Sequence, residues 1–193
     1  MLAEKLYQKL DQQEINVDQL ATLMPEDPEL LRAVINGLYM ESPRVNYPCA
    51  IALQIVSSTQ PRQLYANFNS LVDLLKTSTP LIKIEIINIL ANLAKVDTQG
   101  KIDNFLDTYF EPLEGPSLLT AMSVVKGALR LIAAKPRLGE QIAEELLRVE
   151  IGEYENEEAR RIIYEEVLDA LQEMNSQPFP FSARNILQVP VTA

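Results

Sequence analysis

Residues 86–94 read Ile86-Ile87-Asn88-Ile89-Leu90-Ala91-Asn92-Leu93-Ala94, a dense apolar run with a Thr79-Pro80 pair a short way upstream. A Thr side chain accepts bonds from free amides at a helix start, and Pro suits the first turn because it has no amide to satisfy. The stretch therefore predicts a helix that begins near Pro80 and is buried over much of its surface. Three further runs share this form: Ala50 to Val56 (AIALQIV), Val124 to Ile132 (VVKGALRLI) and Ile162 to Leu171 (IIYEEVLDAL). Their start signals are Ser42-Pro43, Gly115-Pro116-Ser117 and Asn156.

Superposing the four runs on Leu53, Leu90, Leu129 and Leu168 gives spacings of 37, 39 and 39 residues, within the range of two-helix repeats. Three positions on, the aligned residues are Val56, Leu93, Ile132 and Leu171; four before, they are Cys49, Ile86, Val125 and Tyr164. Helical spacing then places these positions on one core-facing side. Pro48 falls inside the first of these helices and predicts either a start near Tyr47 or a kink. Partner helices are expected over Pro61–Lys76, Lys101–Glu111 and Arg137–Val149. Shorter helices are expected at Leu2–Gln12, Val17–Met24 behind the cap pair Asn16 and Gln19, and Pro28–Met40 behind Asp27.

Composition agrees with an all-α chain. Of 193 residues 47% are apolar and only 6 are Gly, and no segment reads as a strand ladder. Glu4, Lys5 and Lys9 interrupt the apolar face of the first helix, so no signal peptide is expected. Lys83 and Glu85 break the richest apolar stretch, Leu81 to Ala94, which is too short to span a bilayer. A single cysteine, Cys49, fits a reducing compartment, and a cytoplasmic location is expected. The net charge of −10 repels phosphate backbones, which argues against generic nucleic-acid binding.

The chain contains no histidine, which removes imidazole-based hydrolytic triads and the commonest metal ligand. Gly100-Lys101 lacks the rest of a phosphate-binding loop. Glu150, Glu153, Glu155, Glu157 and Glu158 crowd the segment before the last helix, but Gly152 is misplaced for a calcium loop. They are expected to be solvated acids near a helix start. Cys49 falls at a core position and is expected to be a buried thiol. No catalytic residue, metal ligand or cofactor site is predicted.

The stretch Asp27-Pro28 through Leu31-Arg32-Ala33 to Leu38 resembles a HEAT-repeat helix. So do Gln60-Pro61 with Leu64-Tyr65, Leu81-Ile82-Lys83, Ala91-Asn92-Leu93-Ala94, Val96-Asp97 and Gly100-Lys101, a set similar to HEAT-like bacterial proteins. The resemblance covers about residues 27–174. It implies a right-handed α-α superhelix, an armadillo-type solenoid of about four helix pairs in one domain over 1–174, with residues 1–26 as N-terminal capping helices. The function it implies is a non-catalytic protein-binding scaffold. The alternative on this architecture is a nucleic-acid binder similar to the HEAT-like alkylpurine DNA glycosylases; Asp169 is an acid on an inner helix, yet no motif carries the catalytic role to it.

In such stacks the second helices line the concave face. The alignment above places there Asn46, Ala50 and Gln54; Lys83, Ile87 and Ala91; Met122, Lys126 and Arg130; and Arg161, Glu165 and Asp169. Lys83, Lys126, Arg130 and Arg161 would form a basic track, with Gln54, Asn88 and Asn92 as neighbouring amides, suited to an acidic peptide or protein. Ordinary solvated charges, paired with neighbours such as Glu85 or Glu165, are the competing reading. Residues 175–193 hold Pro178-Phe179-Pro180-Phe181 and are expected to form an extended tail. Phe179 and Phe181 would anchor it on the last helix pair, on a second copy to make a homodimer in place of a monomer, or on a partner.

Overall fold

The computed structural model describes residues 3–176, in which the regular secondary structure is helical, with no strand. Two compact units part between Val96 and Asp97, inside the span 1–174 that the sequence reads as one domain. The first holds α1 (Ala3–Asp11), α2 (Val17–Leu23), α3 (Pro28–Gly37), α4 (Pro43–Thr59), α5 (Phe68–Thr77) and α6 (Pro80–Leu93). The second holds α7 (Leu106–Phe110), α8 (Leu118–Ala134), α9 (Gly139–Leu146) and α10 (Glu157–Ser176). The expected tail, with Phe179 and Phe181, lies outside the described residues.

Local chemistry sets the helix starts. Asn16 and Gln19 form a reciprocal capping box at α2, and Asp27 Oδ1 accepts from the amides of Glu29 and Leu30, both at 3.0 Å, at α3. At α10 the Asn156 side chain accepts from the Ala159 amide at 2.9 Å. Neither Ser42 nor Thr79 makes a side-chain cap; Pro opens α4 and α6. Contrary to a start near Tyr47, α4 begins at Pro43 and runs through Pro48, which leaves only the Arg44 carbonyl without its helical donor.

The partner helices are shorter than the sequence predicts. Pro61–Gln63 and Tyr65–Asn67 wind as 3-10 turns before α5 begins. The segment before α7 is held out of the helix by Asp97, whose two carboxylate oxygens accept from the amides of Lys101 at 2.9 Å and Ile102 at 3.1 Å. Such side-chain capture of backbone amides competes with helix formation.

In the first unit α4 is the central element, packed against α1, α2, α3 and α6. Contact with α3 is close: a Cβ at Gly37 would lie 2.5 Å from Cys49 Sγ, so only glycine fits. In the second unit α8 packs on α9 and α10, while α7 packs on α9. Tyr109 and Phe110, both fully buried, fill the space beneath; Tyr109 meets Phe105 and Phe110 edge-on at 5.9 and 5.3 Å.

The four long helices bury side chains at a common spacing, but in the last two it runs one residue ahead of the sequence alignment. Leu53 and Leu90 are fully buried, whereas Leu129 and Leu168 are only half-buried; Ala128 and Val167 take the core position. Counted from Leu53, Leu90, Ala128 and Val167, the positions eight and four before, one before and three after are also buried in all four helices, except for half-buried Glu166. Size pointed to Leu129 in α8, whereas the residues buried there are the small Gly127 and Ala128.

Charges hold the irregular parts of the second unit. Lys135, at the end of α8, places Nζ 2.7 Å from Asp97 Oδ2, whose side chain is fully buried. It also reaches Asp103, which pairs with Arg137. Arg148 binds Asp107, Glu114 and Glu145, and the Glu153 amide donates to the Glu114 carbonyl at 2.6 Å. Gly115 sits against the Glu153 carbonyl at a φ of +107°, where a side chain fits neither the backbone nor the space.

Two stability measurements check this packing. In denaturant unfolding, Leu90→Ala is expected to cost about 2–5 kcal/mol and Leu129→Ala clearly less, while Ala128→Leu overpacks its site at about 1–3 kcal/mol; equal costs for the two Leu→Ala changes contradict the shifted register. Lys135→Met strands the buried Asp97 carboxylate and is expected to cost about 3–5 kcal/mol; because Asp97→Ala also frees the Lys101 and Ile102 amides, the double change is expected to cost less than the sum of the two single ones without returning to wild type. Additive losses in that double-mutant cycle would mean the pair does not interact.

Candidate functional site

The register shift changes what the predicted basic track contains. Lys83 lies seven residues before its anchor, and the equivalent positions in α8 and α10 become Ala121 and Arg160. Counted from Ala128 and Val167, Lys126, Arg130 and Arg161 stand two before, two after and six before their anchors, one residue off the face of positions seven before, three before and one after that was predicted to hold them with Lys83.

The predicted track residues differ in their surroundings. Lys126 is exposed on α8, one turn before half-buried Arg130; the Arg130 charge acts on the Tyr109 hydroxyl, whose pKa burial nonetheless drives up strongly. Arg161 is exposed and lies 3.8 Å from Glu165, one turn on, a pairing of the kind that solvated helix charges make. Asp169 is exposed on α10. The fully exposed residues of α10 are charged or polar, and Ile162, Tyr164 and Leu168 are half-buried.

The amides of the first unit face inward. Asn92 is buried and donates through Nδ2 to Ser57 Oγ at 2.9 Å, and Ser57 donates to the Gln54 carbonyl at 2.6 Å, which ties α6 to α4. Asn88, half-buried, donates to the Ile84 carbonyl of its own helix at 2.9 Å. Asn92 is therefore a core tie, not a surface amide as predicted. Gln54 is half-buried on α4.

A surface that the sequence did not single out lies on the first unit. Residues 38–46 at the α3–α4 turn and 74–82 at the α5–α6 turn enclose a cleft of ≈ 340 Å³. Leu38, Leu74 and Ile82 are buried at its wall, with Tyr39, Met40, Thr77, Ser78 and Thr79 also lining it. Tyr39 is 56% exposed and Met40 39%, and Leu81 on the adjoining first turn of α6 is 58% exposed. The apolar surface continues beside the cleft-lining Asn46: Tyr47 is exposed, and Ile51 and Ile55 follow on α4 at four-residue spacing, both half-buried like Ile84 on α6. Residues four apart fall on one helix face, so Tyr47, Ile51 and Ile55 make one stripe.

The sequence signal for the cleft was hidden by a boundary. Pro28–Met40 was expected to be helical, but α3 ends at Gly37, and Tyr39 and Met40 leave the helix on the turn.

Glu41, exposed, is the charged residue that lines the cleft. Every ion pair among the described residues joins side chains of the second unit, and Arg44, Lys76 and Lys83 of the first make none. Burial raises the pKa of Glu85, half-buried on α6.

Among the described residues no group of three acidic or thiol side chains is placed to hold a metal ion, and no helix is long and apolar enough to cross a membrane. The acids of the segment before α10 are mostly exposed, and the Glu150 carbonyl accepts from Arg160. Cys49 is fully buried, and burial pushes its thiol up to about 12. Neither a family model nor a curated protein matches the chain.

The Cys49 shift has a sign that can be checked. With the thiol at 9.0 when exposed and about 12 when folded, the unfolded chain loses its proton first as pH rises, so this group's contribution to stability is full below pH 9 and falls above it. Cys49→Ala is expected to flatten the stability loss between pH 9 and 11 in urea unfolding; an unchanged slope would place the thiol in water.

Proposed function

We propose that the chain is a non-catalytic, cytoplasmic protein-binding scaffold, built as a HEAT-like right-handed superhelix of about four helix pairs. The common burial spacing of α4, α6, α8 and α10 supports the architecture, since stacked helix pairs bury equivalent positions in succession. The binding reading is carried by one observation: the stripe of Tyr47, Ile51 and Ile55 on α4, beside Ile84 on α6, is apolar and incompletely covered. Contiguous apolar surface rimmed by polar residues marks interaction sites on soluble proteins, and Tyr contributes strongly to protein contacts.

The net charge of −10 and the Arg161–Glu165 pair favour a protein partner over the alternative of nucleic acid. An acidic partner remains compatible with the unpaired Lys83.

The test is capture from the native cytoplasm with the full chain immobilised, then titration of the purified partner. Tyr47→Asp is expected to weaken that partner about tenfold or more, ~1.4 kcal/mol, with helicity and melting temperature kept. Tight duplex-DNA binding that collapses steeply with salt, or a partner whose affinity ignores Tyr47→Asp, would overturn this reading.

A further inference from the structure

The last helix reaches Ser176 with one apolar row on it incompletely covered. Tyr164 and Leu168 stand four residues apart on one face of α10, and both are half-buried. On α8, which packs against α10, Leu129 holds the position equivalent to Leu168, one residue after the buried anchor, and it too is half-buried. Met122 is half-buried seven residues before Leu129, and Leu119 is 63% exposed near the start of α8. The second unit thus carries apolar surface beside the point at which residues 177–193 leave α10.

Those 17 residues hold Phe179, Phe181, Ile186, Leu187, Val189 and Val191 with a single charge, Arg184. That composition is far more apolar than that of segments that stay solvated. Their reach fits the row on α10. Leu168 lies eight residues before Ser176 and Tyr164 twelve, about 12 and 18 Å back along the axis at ~1.5 Å per residue. An extended chain advances about 3.3 Å per residue, so a chain that reverses at Ser176 carries Phe179 about 10 Å back and Phe181 about 17 Å. A residue that precedes proline, as Phe179 precedes Pro180, is biased to extended backbone, and residues two apart in such a chain point to one side.

Charge and tethering separate the occupants. The segment carries no acid, so α10, with six acids against Arg160 and Arg161, does not repel it. A second copy of the chain would bring a net charge of −10 to the same surface. A segment joined to the helix it covers also acts at an effective concentration of about millimolar or more.

We propose that residues 177–193 fold back in cis along α10, with Phe179 seated against Leu168 and Phe181 against Tyr164. The proposal is independent of the scaffold reading, which concerns α4 and α6.

The chain holds no tryptophan, so Phe181→Trp in the full chain supplies a single indole as the probe. Its emission is expected to be blue-shifted from that of the urea-unfolded chain, shielded from acrylamide, and the same at every protein concentration. Adding Tyr164→Asp, or separately Phe179→Asp, is expected to return the emission towards the unfolded value. Circular dichroism and melting curves confirm that both variants fold, and Phe179→Asp leaves α10 itself unchanged. Emission at the solvent value in the folded chain overturns the proposal, and so does a blue shift that survives either change. A blue shift that fades on dilution also overturns it and assigns the segment to a second copy.

Discussion

Close approach of long helices along a narrow strip of buried side chains governs both units. The strip includes small residues, Ala50 and Ala52 in α4 and Gly127 and Ala128 in α8, all buried. Gly37 shows the consequence, since one added carbon would strike Cys49. Tight interiors transmit such demands because voids and overlaps both cost energy.

The two units handle charge differently. From Asp97 onward 17 acids face 9 basic residues, a net of −8; the first 96 residues hold 10 acids and 8 basic residues, a net of −2. In the second unit the cations Lys135, Arg137 and Arg148 are used to pin acids of the irregular segments around α7. Taking those charges out of water costs energy that only good geometry returns, so they fix local conformation more than they add stability. In the first unit, hydroxyl and amide side chains such as Ser57 and Asn92 supply the buried polar ties. Its cations are left in solvent.

Helix type, the starts of the long helices and the capping pairs were legible because each follows from local chemistry. Asn16 with Gln19, and Asp27 with Pro28, needed no tertiary information. The anchor of α8 was not legible, since periodicity ranks Leu129 above Ala128 by size while close packing selects the smaller residue. That single step altered the reading of the site, because a one-residue shift turns a helical face by about 100°. Asn92 was misread for a related reason: an amide in an apolar run looks like an exposed position until a partner such as Ser57 is brought to it from 35 residues away.

Tyr39 is tied to α5 through its hydroxyl and the Ser70 carbonyl, whereas Met40 and Leu81 stand exposed beside it. Fully burying a side chain of this kind contributes about 1.5–3 kcal/mol, and these three forgo much of it by standing exposed. Single exposed apolar residues are ordinary on any surface, but Tyr39 and Met40 line one cleft and Leu81 stands on the turn that closes it. The fold does not require apolar chemistry there, since α3 has already ended at Gly37 and the buried wall is complete with Leu38, Leu74 and Ile82. Polar residues on the same turn would serve the isolated chain as well. Apolar side chains left exposed around a cleft whose one charged lining residue is Glu41 are a feature of this turn, and not of the buried strip that holds the helices together.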